Sequence, residues 1–235
     1  MNKLERVESG LLGSRDALYR LERADSARLL VLSDTHGHYD LFESIVREYG
    51  PSSDAMLFAG DGMWDVVQYV ENAYASERLK AALPPVVAFV AGNGDGDEYR
   101  VCLPSSGPID DPSEAPGFSL TVPQRLVVKS CGFSVLLAHG HRHSVDVNPE
   151  ILVSLARSLA CDVAIHGHTH IPFAEEFASV LVLNPGSPSR PRGHHGPSFA
   201  LVDLESTGLT PKITFCAVSA QSRGGFSFGE NPVRL

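Results

Sequence analysis

The feature that most constrains the fold is the stretch 29–38, LLVLSDTHGH, where an unbroken apolar run stops on Asp34 and His36 with Gly37 directly behind. The run is too short for an ordinary helix and too continuous for a strand with one face in water. It suits a strand covered on both faces, as in a parallel sheet. Open α/β sheets place their chemistry at the carboxyl ends of such strands, which is where Asp34 and His36 fall.

The same punctuation recurs down the chain. Leu41, Ile45, Val46 and Tyr49 fall at helical spacing, so a helix is expected over 40–49, stopped by Gly50-Pro51. A strand over 55–59 closes on Gly60-Asp61-Gly62. A helix follows over 64–82 up to Pro84-Pro85, and a strand over 86–91 ends on GNGDGD. Strand, polar tip and helix in alternation is the βαβαβ pattern of a parallel sheet.

The segment 99–124 breaks the rhythm with five prolines, the acids Asp110, Asp111 and Glu114, and no periodicity, and reads as a long surface loop. Strands over 126–129 and 134–138 then lead to HGHRH, and a helix over 149–160 leads through a strand over 163–165 to GHTH. Three more strands are expected over 180–183, 199–204 and 212–218. Late strands without helices imply a second sheet against the first: an α/β fold, specifically a four-layer α/β/β/α sandwich of two mixed sheets flanked by helices. The whole chain reads as one domain with its core over 28–218. Residues 1–27 form an N-terminal extension with a weak helix over 14–24, and the Gly- and Ser-rich tail 219–235 is expected to be loosely ordered.

Composition bounds the function. With 43% hydrophobic residues among 235, the chain can bury one sizeable core. It has no apolar run near the ~18 residues of a membrane span and no apolar leader, so no membrane association and a cytoplasmic location are expected. Cys102, Cys131, Cys161 and Cys216 are scattered and fit unpaired thiols in a reducing compartment. A net charge of −9 argues against non-specific nucleic-acid binding, yet leaves open a small phosphorylated substrate whose charge bound metal ions neutralise.

Asp34, His36, Asp61, Asn93, His139, His168 and His170 all lie just after apolar runs, so one sheet edge could gather them. Mixed oxygen and imidazole donors suit manganese first, with nickel, iron, zinc or cobalt as alternatives, and seven donors are more than one ion needs. Two divalent ions are expected, roughly 3.5–4 Å apart, an arrangement that clamps the attacking and leaving oxygens of phosphoryl transfer.

Taken in order, Asp34-x-His36, Gly60-Asp61, Gly92-Asn93, His139-Gly140-His141 and Gly167-His168-Thr169-His170 resemble the calcineurin-like metallophosphoesterases, in particular their small bacterial and archaeal phosphodiesterase branch. The likeness spans most of 28–204 and includes Asn184-Pro185-Gly186-Ser187, Pro191-Arg192-Gly193 and the stretch 197–203. It implies that Asp34, His36 and His170 bind one metal, that Asn93, His139 and His168 bind the other, and that Asp61 bridges them. A hydroxide bridging the ions would then attack phosphorus. Larger phosphatases of this superfamily place a histidine directly after the asparagine, to assist the leaving group, where this chain has Gly94. That fits a phosphodiesterase with an undemanding leaving group, or one in which His141 is the catalytic acid.

The alternatives are a phosphomonoesterase, or a protein-binding scaffold of the same fold, as in a retromer subunit. His141 is divided between substrate contact and support of a ligand. His143, His194 and His195 read as solvated loop residues, Asp95 as a turn cap and Trp64 as core, and Arg192 is divided between phosphate contact and surface. The 99–124 segment would narrow the pocket or form a homo-oligomer contact.

Overall fold

The computed structural model describes residues 1–104, 116–208, 210–222 and 224–230. Strand β1 (Glu5–Glu8) and strand β2 (Leu11–Gly13) form a hairpin, and helix α1 (Arg15–Glu22) follows, its first turn capped by the Ser14 hydroxyl, which accepts from Ala17 N. Next come β3 (Ser26–Leu32), α2 (Tyr39–Tyr49), β4 (Ala55–Phe58), α3 (Met63–Ala75), α4 (Glu77–Ala82) and β5 (Val86–Phe89). The hairpin β6 (Glu98–Cys102) and β7 (Gly117–Thr121) precedes β8 (Arg125–Ser130), β9 (Phe133–Ala138), α5 (Glu150–Ser158) and β10 (Val163–Ile165). The chain closes with β11 (Phe173–Phe177), β12 (Val180–Asn184), β13 (Ser198–Glu205), β14 (Lys212–Ala220) and β15 (Phe226–Glu230).

Two mixed sheets result. The larger runs β1-β2-β5-β4-β3-β13-β14-β15, with β3, β4 and β5 parallel; the smaller runs β11-β12-β10-β9-β8, with β12, β10 and β9 parallel. The continuous apolar character of β3 has a direct cause. Leu30 and Leu32 pack outward against α2 and α3, while Leu29 and Val31 pack inward against the second sheet, and all four are fully buried. Each such side chain contributes about 2 kcal/mol. Helix α5 covers the outer face of the smaller sheet through Leu152, Val153 and Ala156, completing the four layers.

Several expectations need correction. Residues 1–27 are not an extension: β2 is hydrogen-bonded to β5, with Leu11 opposite Ala88, and Ala17 and Leu21 of α1 join the core between the sheets. The helix expected over 64–82 is two, because Ser76 is extended (φ −138°) and its hydroxyl starts α4 by accepting from Leu79 N. Most of the described part of 99–124 is not loop but the β6–β7 hairpin, and its Tyr99, Val101 and Leu120, with Val122 just after β7, are buried with the α2–α3 side of the large sheet. Asp110, Asp111 and Glu114 lie outside the described residues. The described part of the tail forms the end of β14 and then β15, with Phe228 against Tyr49 and Phe199. Trp64 is not core: it is 65% exposed and stands edge-on to Tyr99. Strand β11 was not expected at all, since its exposed Glu175 and Glu176 hide it.

Candidate metal centre

Parallel pairing puts Leu32, Phe58 and Phe89 side by side at the carboxyl ends of β3, β4 and β5. The chain leaving each strand therefore delivers Asp34 and His36, Asp61, and Asn93 to one edge. In the second sheet Leu137, Ile165 and Leu183 are neighbours in the same way, so His139 and the 166–170 turn arrive from the opposite side. Asp34, His36, Asp61, His168 and His170 all have positive φ, between 50° and 68°. Non-glycine residues rarely hold this conformation, and where they do it concentrates at sites that need a side chain aimed in a set direction.

The donors converge. His170 Nε2 lies 3.2 Å from Asp34 Oδ1 and 3.1 Å from His36 Nε2. His139 Nε2 lies 3.5 Å from Asp61 Oδ2, 3.9 Å from Asp34 Oδ1 and 3.2 Å from Asn93 Oδ1, which is also 2.9 Å from His168 Nδ1. Asp34, His36 and His170 make one compact group and Asp34, Asp61 and His139 another, with the donor atoms of each within 4.8 Å of one another. Asp34 stands in both groups, while Asn93 and His168 adjoin the second through their contacts to His139 and to each other. All seven residues singled out in the sequence thus meet at one place.

Second partners set the imidazoles. A carbonyl oxygen only accepts, so Ala59 O at 2.7 Å from His139 Nδ1 and Arg190 O at 2.6 Å from His170 Nδ1 keep the proton on Nδ1 and leave each Nε2 lone pair facing the cluster. His168 is turned the other way, with Nε2 2.9 Å from Asp146 Oδ2 and Nδ1 inward. Lone pairs and carboxylates facing one another repel unless a cation lies among them. Asp34 Oδ1 makes the point most sharply: it is fully buried and has no hydrogen-bond partner, while Asp34 Oδ2 accepts from His168 N at 3.0 Å. An orphaned carboxylate oxygen in such a place is costly without a cation. The donor set fits divalent metal.

Electrostatics agree. Burial alone would raise Asp61, but its contact with His139 and the Gly94 amide at 2.7 Å outweigh burial and hold it at about 2, so it is ionised. His139 moves up despite burial because Asp61 and Asp34 face it. A metal would take the place of that proton, since only neutral imidazole ligates. His36 moves down, chiefly through burial.

Behind the donors lies a frame the sequence reading only partly anticipated. Asp95 is a turn cap as expected, and more: Oδ2 accepts from Asp61 N and Gly92 N, and Oδ1 from Gly62 N and Met63 N, locking the β4 and β5 tips together and capping α3. Such bonds to a charged group contribute about 2 kcal/mol each. Asp65, 2% exposed, accepts from Thr35 Oγ1 and Gly37 N and so holds the 34–37 loop; burial raises it. Ser187 and Ser189 donate to Asp34 O, and Asn184 Nδ2 donates to Gly167 O and Thr169 Oγ1. Asp65, Asp146 and His166 were not anticipated. The first sits four residues after Asp61 on a helix start, which was a usable signal; Asp146 lies in a stretch with none.

His141 is beside the cluster, its ring 5.4 Å from that of His139, but it belongs to neither compact donor group. His194 and His195 are exposed, and Arg192 is exposed with Nη1 3.5 Å from His168 O. His143, by contrast with the expectation of a solvated residue, has a buried Nδ1 without a partner.

The family model of the calcineurin-like phosphoesterase superfamily domain matches residues 28–207. A probable metallophosphoesterase of Mycoplasma pneumoniae is 30% identical over 194 residues, covering 80% of this chain and 96% of that protein. Phosphodiesterase YfcE of Escherichia coli K12 is 28% identical over 185 residues, 75% of this chain and 87% of its own length. Among solved structures, a predicted phosphoesterase from Streptococcus pneumoniae TIGR4 superposes with a TM-score of 0.56 at 22% identity, covering 88% of this chain and 98% of its own. Vps29 of Chaetomium thermophilum superposes at 0.59 with 17% identity, covering 87% and 95%. These last two likenesses are of fold. With its motifs gathered into one centre and the family match running over 28–207, the chain belongs to the calcineurin-like phosphoesterase superfamily.

Proposed function

We propose that the protein is a phosphodiesterase that works with two divalent ions, manganese first among the candidates, held by Asp34, His36 and His170 on one side, by Asn93, His139 and His168 on the other, and by Asp61 between them. The observation that carries the metal reading is the buried, partnerless Asp34 Oδ1 facing imidazole nitrogens. When bound, the ions supply a water of lowered pKa as nucleophile and positive charge for the phosphoryl oxygens. The chain's own residues supply the rest. Ala59 O and Arg190 O fix the lone pairs of His139 and His170, Asp61 is ionised across the neutral range, and the tip after β5 carries Gly94 beside Asn93 with no proton donor of its own. That last feature supports a diester whose alcohol leaves without strong protonation, and the likeness to a phosphodiesterase agrees with it. Unpaired Cys102, Cys131, Cys161 and Cys216 fit the reducing cytoplasm.

A non-catalytic scaffold is the second reading, favoured by the fold likeness to Vps29. The test is hydrolysis of a panel of phosphodiesters and monoesters by metal-stripped protein resupplied with single metals. Turnover of diesters above monoesters supports the proposal, faster monoester turnover makes it a phosphomonoesterase, and no turnover with any metal points to the scaffold.

A further inference from the structure

Beside the centre, Gln124, Arg125, His139, His141, Arg142 and His143 line a cavity of about 350 Å³. His139 belongs to both, so the cavity opens directly off the cluster. Its lining carries two guanidinium groups and no carboxylate, in a chain whose net charge is −9. Four buried side-chain polar atoms among the described residues lack a hydrogen-bond partner. One is Asp34 Oδ1 in the metal centre; the other three, Gln124 Oε1, His141 Nδ1 and His143 Nδ1, belong to residues lining this cavity. Buried polar groups are ordinarily satisfied, so a cluster of orphans in one cavity calls for a polar occupant, water or ligand.

The chemistry of the orphans identifies its type. Arg142 Nε can only donate, and it does so to His141 Nε2 at 3.4 Å, so a neutral His141 carries its proton on Nδ1 as an unused donor. Arg125, Arg142 and His143 line the same cavity, and burial, then the positive charges of the two arginines, hold His143 below its ordinary value, so its ring is neutral and carries a single N–H. The Gln124 amide presents either its oxygen or its NH2 by a half-turn. Donors and positive charge without a carboxylate fit an oxyanion, and the planar guanidinium forks fit phosphate.

We propose that this cavity is a subsite for a second phosphate group of the substrate, carried on one of the alcohols of the diester and bound by Arg125, Arg142, Gln124 and His143. This rests on the phosphodiesterase reading, and it narrows the substrate to diesters that bear a phosphate away from the scissile one. His141, with its ring 5.4 Å from that of His139 and 6.1 Å from that of His168, lies beside the candidate metal centre and also lines the cavity.

Two measurements decide it. In the first, inorganic phosphate is titrated calorimetrically into metal-stripped parent protein and into the Arg125→Ala/Arg142→Ala double variant. Binding by the parent, weakened at least tenfold in the double variant, is expected. Absence of binding by the parent, or equal binding by both, overturns the subsite. Both arginines are exposed, so the fold is expected to survive, and thermal unfolding checks that. Should the double variant unfold, Gln124→Leu takes its place with a loss of at least threefold expected and no loss overturning the proposal. In the second, two diesters differing only in a terminal phosphate on one alcohol are compared with metal-loaded protein. The parent should favour the phosphorylated one, and the ratio of kcat/KM values should fall at least tenfold in the double variant; an unchanged ratio overturns the proposal. If neither diester is hydrolysed, the diesterase reading fails and the phosphate titration decides the subsite by itself.

Discussion

Asp146 Oδ2 lies 2.9 Å from His168 Nε2, and this contact turns His168 so that Nδ1, not Nε2, faces Asn93 and the cluster. A carboxylate can only accept, so the Nε2 proton is fixed and the Nδ1 lone pair is free to ligate. As a surface ion pair the contact would be worth little, because the Asp146 side chain is 54% exposed. Its value lies in orientation. Asp146→Ala should leave thermal unfolding of the metal-free protein nearly unchanged while weakening metal affinity about 10- to 100-fold. Chelator competition on the parent and the variant measures this, and equal affinities would reduce Asp146 to a surface neighbour.

Asp61 is held between two unlike partners, the Gly94 amide on Oδ1 at 2.7 Å and His139 Nε2 at 3.5 Å from Oδ2. Asp61→Asn keeps the shape and removes the charge that the two proposed cations would need between them. Turnover should fall at least ~100-fold while the protein still folds. Metal analysis alongside kinetics decides it, since near-normal activity with two bound ions would take Asp61 out of the bridging role.

His166 offers a pH effect that can be read without metal. It is fully enclosed, with Nδ1 2.9 Å from Gly167 O, and burial holds it down at about 4. Its unfolded value is near 6.5. Because the folded value is the lower one, the unfolded chain takes up a proton first as pH falls, and stability is lost between about 6.5 and about 4. Above that window His166 is neutral in both states and contributes no slope. The loss amounts to about 3 kcal/mol at most. In metal-stripped protein, His166→Asn should lower stability at neutral pH through lost packing yet flatten the decline below pH 6.5. Parallel unfolding curves for parent and variant across that range would show that another group drives the acid limb.

Much of this centre was legible because its donors obey one rule: each follows a short apolar run, and parallel register then brings the ends of such runs together. The α2 helix and β3, β4, β5, β9 and β10 were legible for the same reason of strong local pattern. What escaped did so because its pattern was short or masked. The N-terminal β1 and β2 are four and three residues long, too short for alternation to show. Tyr99 with Val101 and Leu120 with Val122 do alternate, but the prolines between them drown the signal. Asp146 finds its partner 22 residues away, and no local pattern encodes that meeting.

Gly94 is where substrate class meets backbone geometry. It does not have a positive φ, so a side chain there carries no left-handed strain, and an added Cβ would come to 3.3 Å from Asp61 Oδ1, close enough that Asp61 must yield by a few tenths of an ångström. The Gly94 amide bond to Asp61 is backbone and survives substitution. With no histidine beside Asn93, poor alkoxide leaving groups lack a proton donor, and a positioned acid typically contributes ~100 to 10,000-fold. On the phosphodiesterase reading, the parent protein should therefore prefer diesters with acidic leaving groups, with a rate that depends steeply on leaving-group pKa. Gly94→His should raise activity on monoesters and poor leaving groups more than on activated diesters, with only a small drop in unfolding temperature. A leaving-group series on both proteins is the measurement. A flat dependence in the parent, with monoesters hydrolysed as fast as activated diesters, would mean that another acid already operates, and His141, next to the cluster, would be the residue to replace.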